Sequence, residues 1–87
     1  MYFLYIIECA DTTLYTGITV DVARRVHEHN ASRLGSKYTR ARRPVKLVYS
    51  KKFRTRAAAS RAEYRLKKIS RAAKERLIHM AQTGGAH

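Results

Sequence analysis

The chain has a single cysteine, Cys9, so an internal disulfide is impossible and a cysteine-based zinc site is excluded. Such a sequence suits a reducing cytoplasm. Acids are scarce too: six Asp and Glu in 87 residues, scattered singly, argue against a two-metal site built on several carboxylates. No apolar run approaches the ~20 residues that a membrane-spanning helix needs. The opening run, residues 2–7, is too short for the apolar core of a secretion signal, lacks a preceding basic segment, and is followed by Glu8 and Asp11. Internal repeats and low-complexity linkers are missing, and only Thr83-Gly84-Gly85 reads as loose. At this length the chain is one small domain with one modest core.

What is abundant is positive charge. Nineteen Lys and Arg give a formal net charge of +13. A field of that size draws phosphate from a distance and points to a polyanionic partner, nucleic acid before an anionic membrane. The bases are not spread evenly. The first 23 residues hold none of them and three of the acids, Glu8, Asp11 and Asp21; the rest of the chain holds all 19 bases against Glu28, Glu63 and Glu75. A neutral-to-acidic start is thus followed by cationic helices and loops.

That start reads as a hairpin. Residues 2–7 and Leu14-Tyr15-Thr16-Gly17 are rich in strand formers, with Asp11-Thr12-Thr13 as the turn between them. Tyr5 and Tyr15 sit one in each arm, so two phenols can flank one site. Gly17 is expected to end the second arm where a side chain would obstruct an approaching ligand. Thr19 or Asp21 can cap a helix running to about Asn30. At 100° per residue, Val22, Arg25, Val26 and His29 share an arc about 100° wide while Arg24 points away, so the stripe facing the sheet carries an arginine and a histidine.

Residues 31–43 lack periodicity and contain Gly35, Lys37, Tyr38, Arg40, Arg42 and Arg43 ahead of Pro44, which reads as a basic loop. Val45, Leu47 and Tyr49 alternate with Lys46, Val48 and Ser50 as a third strand. Thr55 caps a helix over residues 56–69 with Ala59, Ala62, Leu66 and Ile69 inward and Glu63 at the edge of that arc. Ser70 breaks the chain before a last helix over residues 71–82, with Ala73, Leu77, Met80 and Ala81 inward and Gly84 as its stop. The fold expected is a small α/β (α+β) domain: a three-stranded, mainly antiparallel sheet flanked by helices, in the order β-β-α-β-α-α.

Four polar groups therefore point where apolar ones are expected: Tyr5, Tyr15, Arg25 and Glu63. This set resembles the GIY-YIG nuclease superfamily. Phe3-Leu4-Tyr5 stands for its first motif, Tyr15-Thr16-Gly17 for its second, Arg25 for its helix arginine, His29 for the His or Tyr one turn later, and Glu63 for its metal-binding glutamate. Lys37-Tyr38-Thr39 and Arg61-Ala62-Glu63-Tyr64-Arg65 resemble elements of the small stand-alone bacterial members, and the whole is similar to the amino-terminal nuclease domain of UvrC. The resemblance covers residues 1–83, with 84–87 as a flexible tail. The first motif here keeps only its tyrosine, and Thr16 replaces an aliphatic residue in the second.

The resemblance implies phosphodiester hydrolysis with one divalent ion, Mg²⁺ or Mn²⁺, held at Glu63. The residue types suit that chemistry. Attack on a phosphodiester needs an activated water and neutralised phosphoryl charge. A phenol of pKa ~10 is a poor base unless a cation favours its phenolate, so Tyr5 or Tyr15 can serve only beside one; Tyr5, mid-strand, is the better fixed. Arg25 can hold phosphate bidentately, and His29 can hydrogen-bond a phenol or the phosphate. Gly17, Lys37, Tyr38, Arg40, Arg42 and Arg43 are the nucleic-acid contacts, on DNA before RNA. Ordinary readings stand beside these: strand tyrosines as core, Glu63 as an i,i+4 partner of Lys67, Arg25 covering apolar surface with its stem, the basic loop merely solvated. His27-Glu28-His29 is no chelate, since residues two apart on a helix lie about 200° apart; His79 and His87 read as surface residues. The rival functions are a non-catalytic nucleic-acid-binding module of the same fold and a domain that docks on an acidic protein surface.

Overall fold

The computed structural model describes residues 1–31 and 34–84; Gly85 and His87 lie outside them. The elements follow as β1 (Tyr2–Glu8), β2 (Leu14–Thr19), α1 (Val22–Ala31), α2 (Lys37–Arg40), β3 (Lys46–Phe53), α3 (Arg56–Lys68) and α4 (Arg71–Gly84). The sheet has the order β2-β1-β3 and is antiparallel throughout, so the expected α+β class and the expected elements are present, with one short helix added. β1 lies in the middle, covered on both faces, which is why Leu4, Tyr5, Ile6 and Ile7 are all buried and read as an unbroken apolar run.

Local chemistry accounts for the joints. In the β1–β2 turn, Asp11 Oδ1 accepts hydrogen bonds from the Thr13 amide (3.1 Å) and hydroxyl (2.6 Å), while Thr12 takes the left-handed conformation at φ 69°. Asp21, not Thr19, caps α1, its Oδ1 accepting from the Arg24 amide at 3.0 Å. Thr55 caps α3 through the Ala58 amide, and Ser70 caps α4 through the Ala73 amide, both at 3.1 Å.

Side chains alternate between the two faces of the sheet. On one face Tyr5, Ile7, Cys9 and Val45 pack with Tyr15 and with Val26 of α1. On the other, Leu4 and Ile6 pack with Leu14, Ile18, Val48, Tyr49 and Phe53 beneath Ala62 and Leu66 of α3 and Leu77 and Ile78 of α4. Asn30 ties α1 to the start of β3 by a pair of hydrogen bonds to the Val45 amide (2.7 Å) and carbonyl (3.0 Å).

Several expectations are corrected. Gly17 does not end β2; the strand runs on to Thr19 and Gly17 stands directly opposite Tyr5. Residues 31–43 are not all loop: Ser36 Oγ accepts from the Thr39 amide and starts the single turn of α2, too short for any periodicity to betray it. The regular alternation expected of β3 breaks at a bulge. Leu47 pairs with Ile7 but Tyr49 pairs with Ile6, so Val48 is the extra residue, Leu47 is 43% exposed, and Val48 and Tyr49 both turn to the α3–α4 side. On α4 Leu77 and Ile78 pack inward, whereas Met80, 69% exposed, and Ala81 face solvent. Ile69 caps α3 half-exposed, and Gly84 is the last residue of α4 instead of the first of a tail.

Candidate active site

Three of the four polar residues foreseen among the apolar positions, Tyr5, Tyr15 and Arg25, meet with His29 on the α1 face of the sheet. Tyr5 and His29 are fully buried, and the Tyr5 hydroxyl lies 2.9 Å from His29 Nε2. Gly17 makes room for this. A Cβ at Gly17 would stand 2.6 Å from the Tyr5 hydroxyl oxygen and 2.8 Å from Cζ, so the phenol lies across its strand partner and only glycine leaves the space. The glycine thus leaves room for the tyrosine ring.

Arg25 stands close enough to the same phenol for its charge to favour the phenolate. Its Nη1 donates to Glu28 Oε1 at 3.0 Å and to the Leu34 carbonyl, which fixes the guanidinium beside the site. Burial works against the Arg25 charge, but the bonds to Glu28 and Tyr5 outweigh it and its pKa is raised. Burial also pushes the Tyr5 phenol up, with the Arg25 hydrogen bond as the chief opposing influence. His29 is pushed down to about 4, first by burial and then by the Arg25 charge, so its imidazole is neutral at physiological pH.

His29 is held from every side. Arg43 Nε donates to its carbonyl at 2.6 Å, capping the end of α1 with a cation. The chain at Gly35 lies against the α1 backbone so closely that a Cβ there would stand 2.7 Å from the Glu28 carbonyl oxygen and 2.9 Å from the His29 Cα. Thr39 Oγ1 is 2.9 Å from Nδ1. The Tyr15 ring meets the imidazole edge-on at 5.2 Å and stacks with Tyr38 at 6.0 Å, over which lies the Arg42 guanidinium at 4.0 Å.

Tyr5, Tyr15, Arg25 and His29 are therefore brought together with Gly17 beneath them. Glu63, on α3, reaches these four only through its charge, which Tyr5 feels: its side chain is 24% exposed and pairs with Lys67 at 3.5 Å, the ordinary i,i+4 contact. A part-exposed carboxylate is the kind of ligand a hard divalent ion takes while keeping most of its waters, and Lys67 would compete with such an ion for it. Among the described residues no group of three or more His, Cys, Asp or Glu could hold a metal ion. The basic segment divides. Lys37 and Arg40 project outward, whereas Arg42 donates to Asp11 Oδ2 (3.0 Å) and the Tyr38 carbonyl (2.8 Å), and Arg43 braces α1, so these two cations hold the chain itself. Glu28 and Thr39 belong to the site and were not picked out from the sequence. Glu28 stands three residues after Arg25 on the same helix, which was the available signal; Thr39 offered none beyond its place in Lys37-Tyr38-Thr39.

Among the described residues no helix is long and apolar enough to cross a membrane. The family described as the GIY-YIG catalytic domain matches residues 1–76. A UPF0213 protein of Desulfotalea psychrophila is 51% identical over 83 residues, covering 95% of this chain and 76% of its own length. One from Halobacterium salinarum is 54% identical over 78 residues, covering 90% of this chain and 100% of its own length. The solution NMR structure of a UPF0213 protein from Bacillus halodurans is similar at a TM-score of 0.59 and 46% identity, covering 92% of this chain and 85% of that one. A protein from E. faecalis gives 0.63 and 36%, covering 94% and 86%.

Proposed function

The chain belongs to the GIY-YIG family, and on that premise we propose that it is an endonuclease or nickase that hydrolyses phosphodiester bonds in nucleic acid, DNA before RNA. The observation that carries the reading is the buried Tyr5–His29 hydrogen bond beside Arg25. Nothing about a merely structural core calls for a phenol, a neutral imidazole and a guanidinium gathered at a glycine gap, since each polar group there needs its own partner.

The residues divide the work. Arg25, already anchored through Nη1, offers the rest of its fork to the scissile phosphate. A water placed against Tyr5 gives a proton to the phenol oxygen as that oxygen's own proton passes to His29 Nε2; the water oxygen bonds to phosphorus and the bond to the leaving oxygen breaks. In the free protein this transfer runs uphill, because burial and the Arg25 charge hold the imidazole neutral. An anionic phosphate on Arg25 removes the second of those causes, so substrate itself makes His29 a better acceptor. Glu63 would hold one Mg²⁺ or Mn²⁺, which supplies charge neutralisation at the phosphate and leaving oxygens. The exposed bases of α3, among them Arg56, Arg61 and Arg65, with Lys37 and Arg40 of α2, give the strand a cationic bed, and so small a domain reads DNA shape in preference to sequence.

The test is cleavage of labelled duplex, branched and single-stranded DNA with and without Mg²⁺ or Mn²⁺, wild type against Glu63→Ala. Metal-dependent products from the wild type alone, with DNA binding almost unchanged in the variant, are expected. Salt-sensitive binding without cleavage of any substrate would leave only a nucleic-acid-binding module.

A further inference from the structure

The hydrogen-bond chain that starts at Tyr5 continues past His29. Thr39 Oγ1 lies 2.9 Å from His29 Nδ1, and Thr39, like His29, is fully buried. Around that hydroxyl one set of donors and acceptors gives every group a partner. The Thr39 amide donates to Ser36 Oγ at 3.2 Å. The Thr39 hydroxyl lies 3.1 Å from the Ser36 carbonyl, which also accepts from the Arg40 amide at 3.1 Å, and a carbonyl has a second lone pair for the hydroxyl proton. Its oxygen then accepts from Ser36 Oγ–H at 3.1 Å and from His29 Nδ1–H.

The other end of the imidazole gives the same answer. If Nε2 carried the proton, the Tyr5 oxygen would receive it, and the phenol proton would have no acceptor in this hydrogen-bond chain, since the neighbouring Arg25 can only donate. With the proton on Nδ1, the phenol donates to Nε2 and every polar atom from Tyr5 to Ser36 has a partner.

We propose that Thr39 is a positioning residue: by accepting the Nδ1 proton it holds His29 in the tautomer whose Nε2 lone pair faces Tyr5. It acts through the histidine and touches no reacting atom. The arrangement accounts for α2, an element of one turn whose only buried residue is Thr39. It also makes a polar core position out of a residue that a valine would match in shape.

The kinetic part of this inference rests on the nuclease reading; the tautomer part does not. The experiment is therefore long-range ¹H–¹⁵N NMR of the histidine side chains near pH 7, with the His29 signals identified by their loss in His29→Gln. The wild type is expected to show Nδ1 protonated and Nε2 bare, Thr39→Val to lose that preference, and Thr39→Ser to regain it. A wild type carrying its proton on Nε2 overturns the proposal without any variant having to fold, and so does a folded Thr39→Val whose tautomer is unchanged. Where the wild type cleaves, kcat should fall roughly 10- to 100-fold in Thr39→Val with KM little altered, as loss of the outer partner of a functional histidine commonly costs, and a change in KM alone would count against it. A wild type that cleaves nothing but shows the Nδ1–H tautomer would overturn the nuclease reading and leave the assignment of Thr39 standing.

Discussion

The two faces of the sheet alternate residue by residue along the same strands, yet they are held together by different forces. On the α3–α4 side, Leu4, Ile6, Val48, Tyr49, Phe53, Leu66, Leu77 and Ile78 meet as apolar surface, with little that must be aligned. On the α1 side, Tyr5, His29 and Thr39 are all buried and are joined end to end by hydrogen bonds, with Arg25 and Glu28 beside them. Apolar packing tolerates small shifts and contributes by area; a buried polar chain contributes only while every member keeps its partner. The division lets one half of a small molecule carry stability while the other keeps a costly constellation in place.

Mutations and pH should separate the halves. Leu66→Ala removes a buried side chain from the apolar face and should cost about 2–5 kcal/mol by chemical denaturation, while the folded fraction keeps the activity and the His29 tautomer of the parent. If the tautomer changed, the faces would not be independent. Acid should act on the other side. His29 is pushed down to about 4 from 6.5, so between those values the unfolded chain binds a proton that the folded one refuses; the stability is complete above pH 6.5 and is lost as pH falls toward 4, about 3 kcal/mol in all. Denaturation curves of wild type and His29→Gln across that range give the share due to His29 as their difference in slope, and parallel slopes would refute it. Gly17→Ala places a methyl 2.6 Å from the Tyr5 hydroxyl. It should cost about 1–3 kcal/mol and break the Tyr5–His29 bond; retention of full activity would show that the phenol can move without harm.

Much of this was legible before any coordinates. The turn at Asp11, the caps at Asp21, Thr55 and Ser70, and the arc shared by Arg25, Val26 and His29 all follow from local chemistry within a few residues, and the structure holds them. The elements that were misread depend on distant partners. The bulge at Val48 is a property of pairing with β1, and Ile78 rather than Met80 packs on the core because of where α4 lies against the sheet, which periodicity alone leaves open. In the site, the residue types were visible but not their connections. Arg42 and Arg43 read as phosphate contacts by composition, and their engagement with Asp11 and with the end of α1 exists only because the chain folds back over 31 and 14 residues.

The sequence by itself determined the three strands, the three long helices, the family and most of the polar side chains of the site, because caps, turn residues and helical spacing act over a few residues and leave a local trace. Tertiary structure alone decided which phenol is buried against which nitrogen, that Gly17 exists to admit a ring, and that Thr39, ten residues from His29, sets the far end of its hydrogen-bond chain. Those are contacts between segments that only the closed sheet and its helices bring within hydrogen-bonding distance, and no local pattern encodes them.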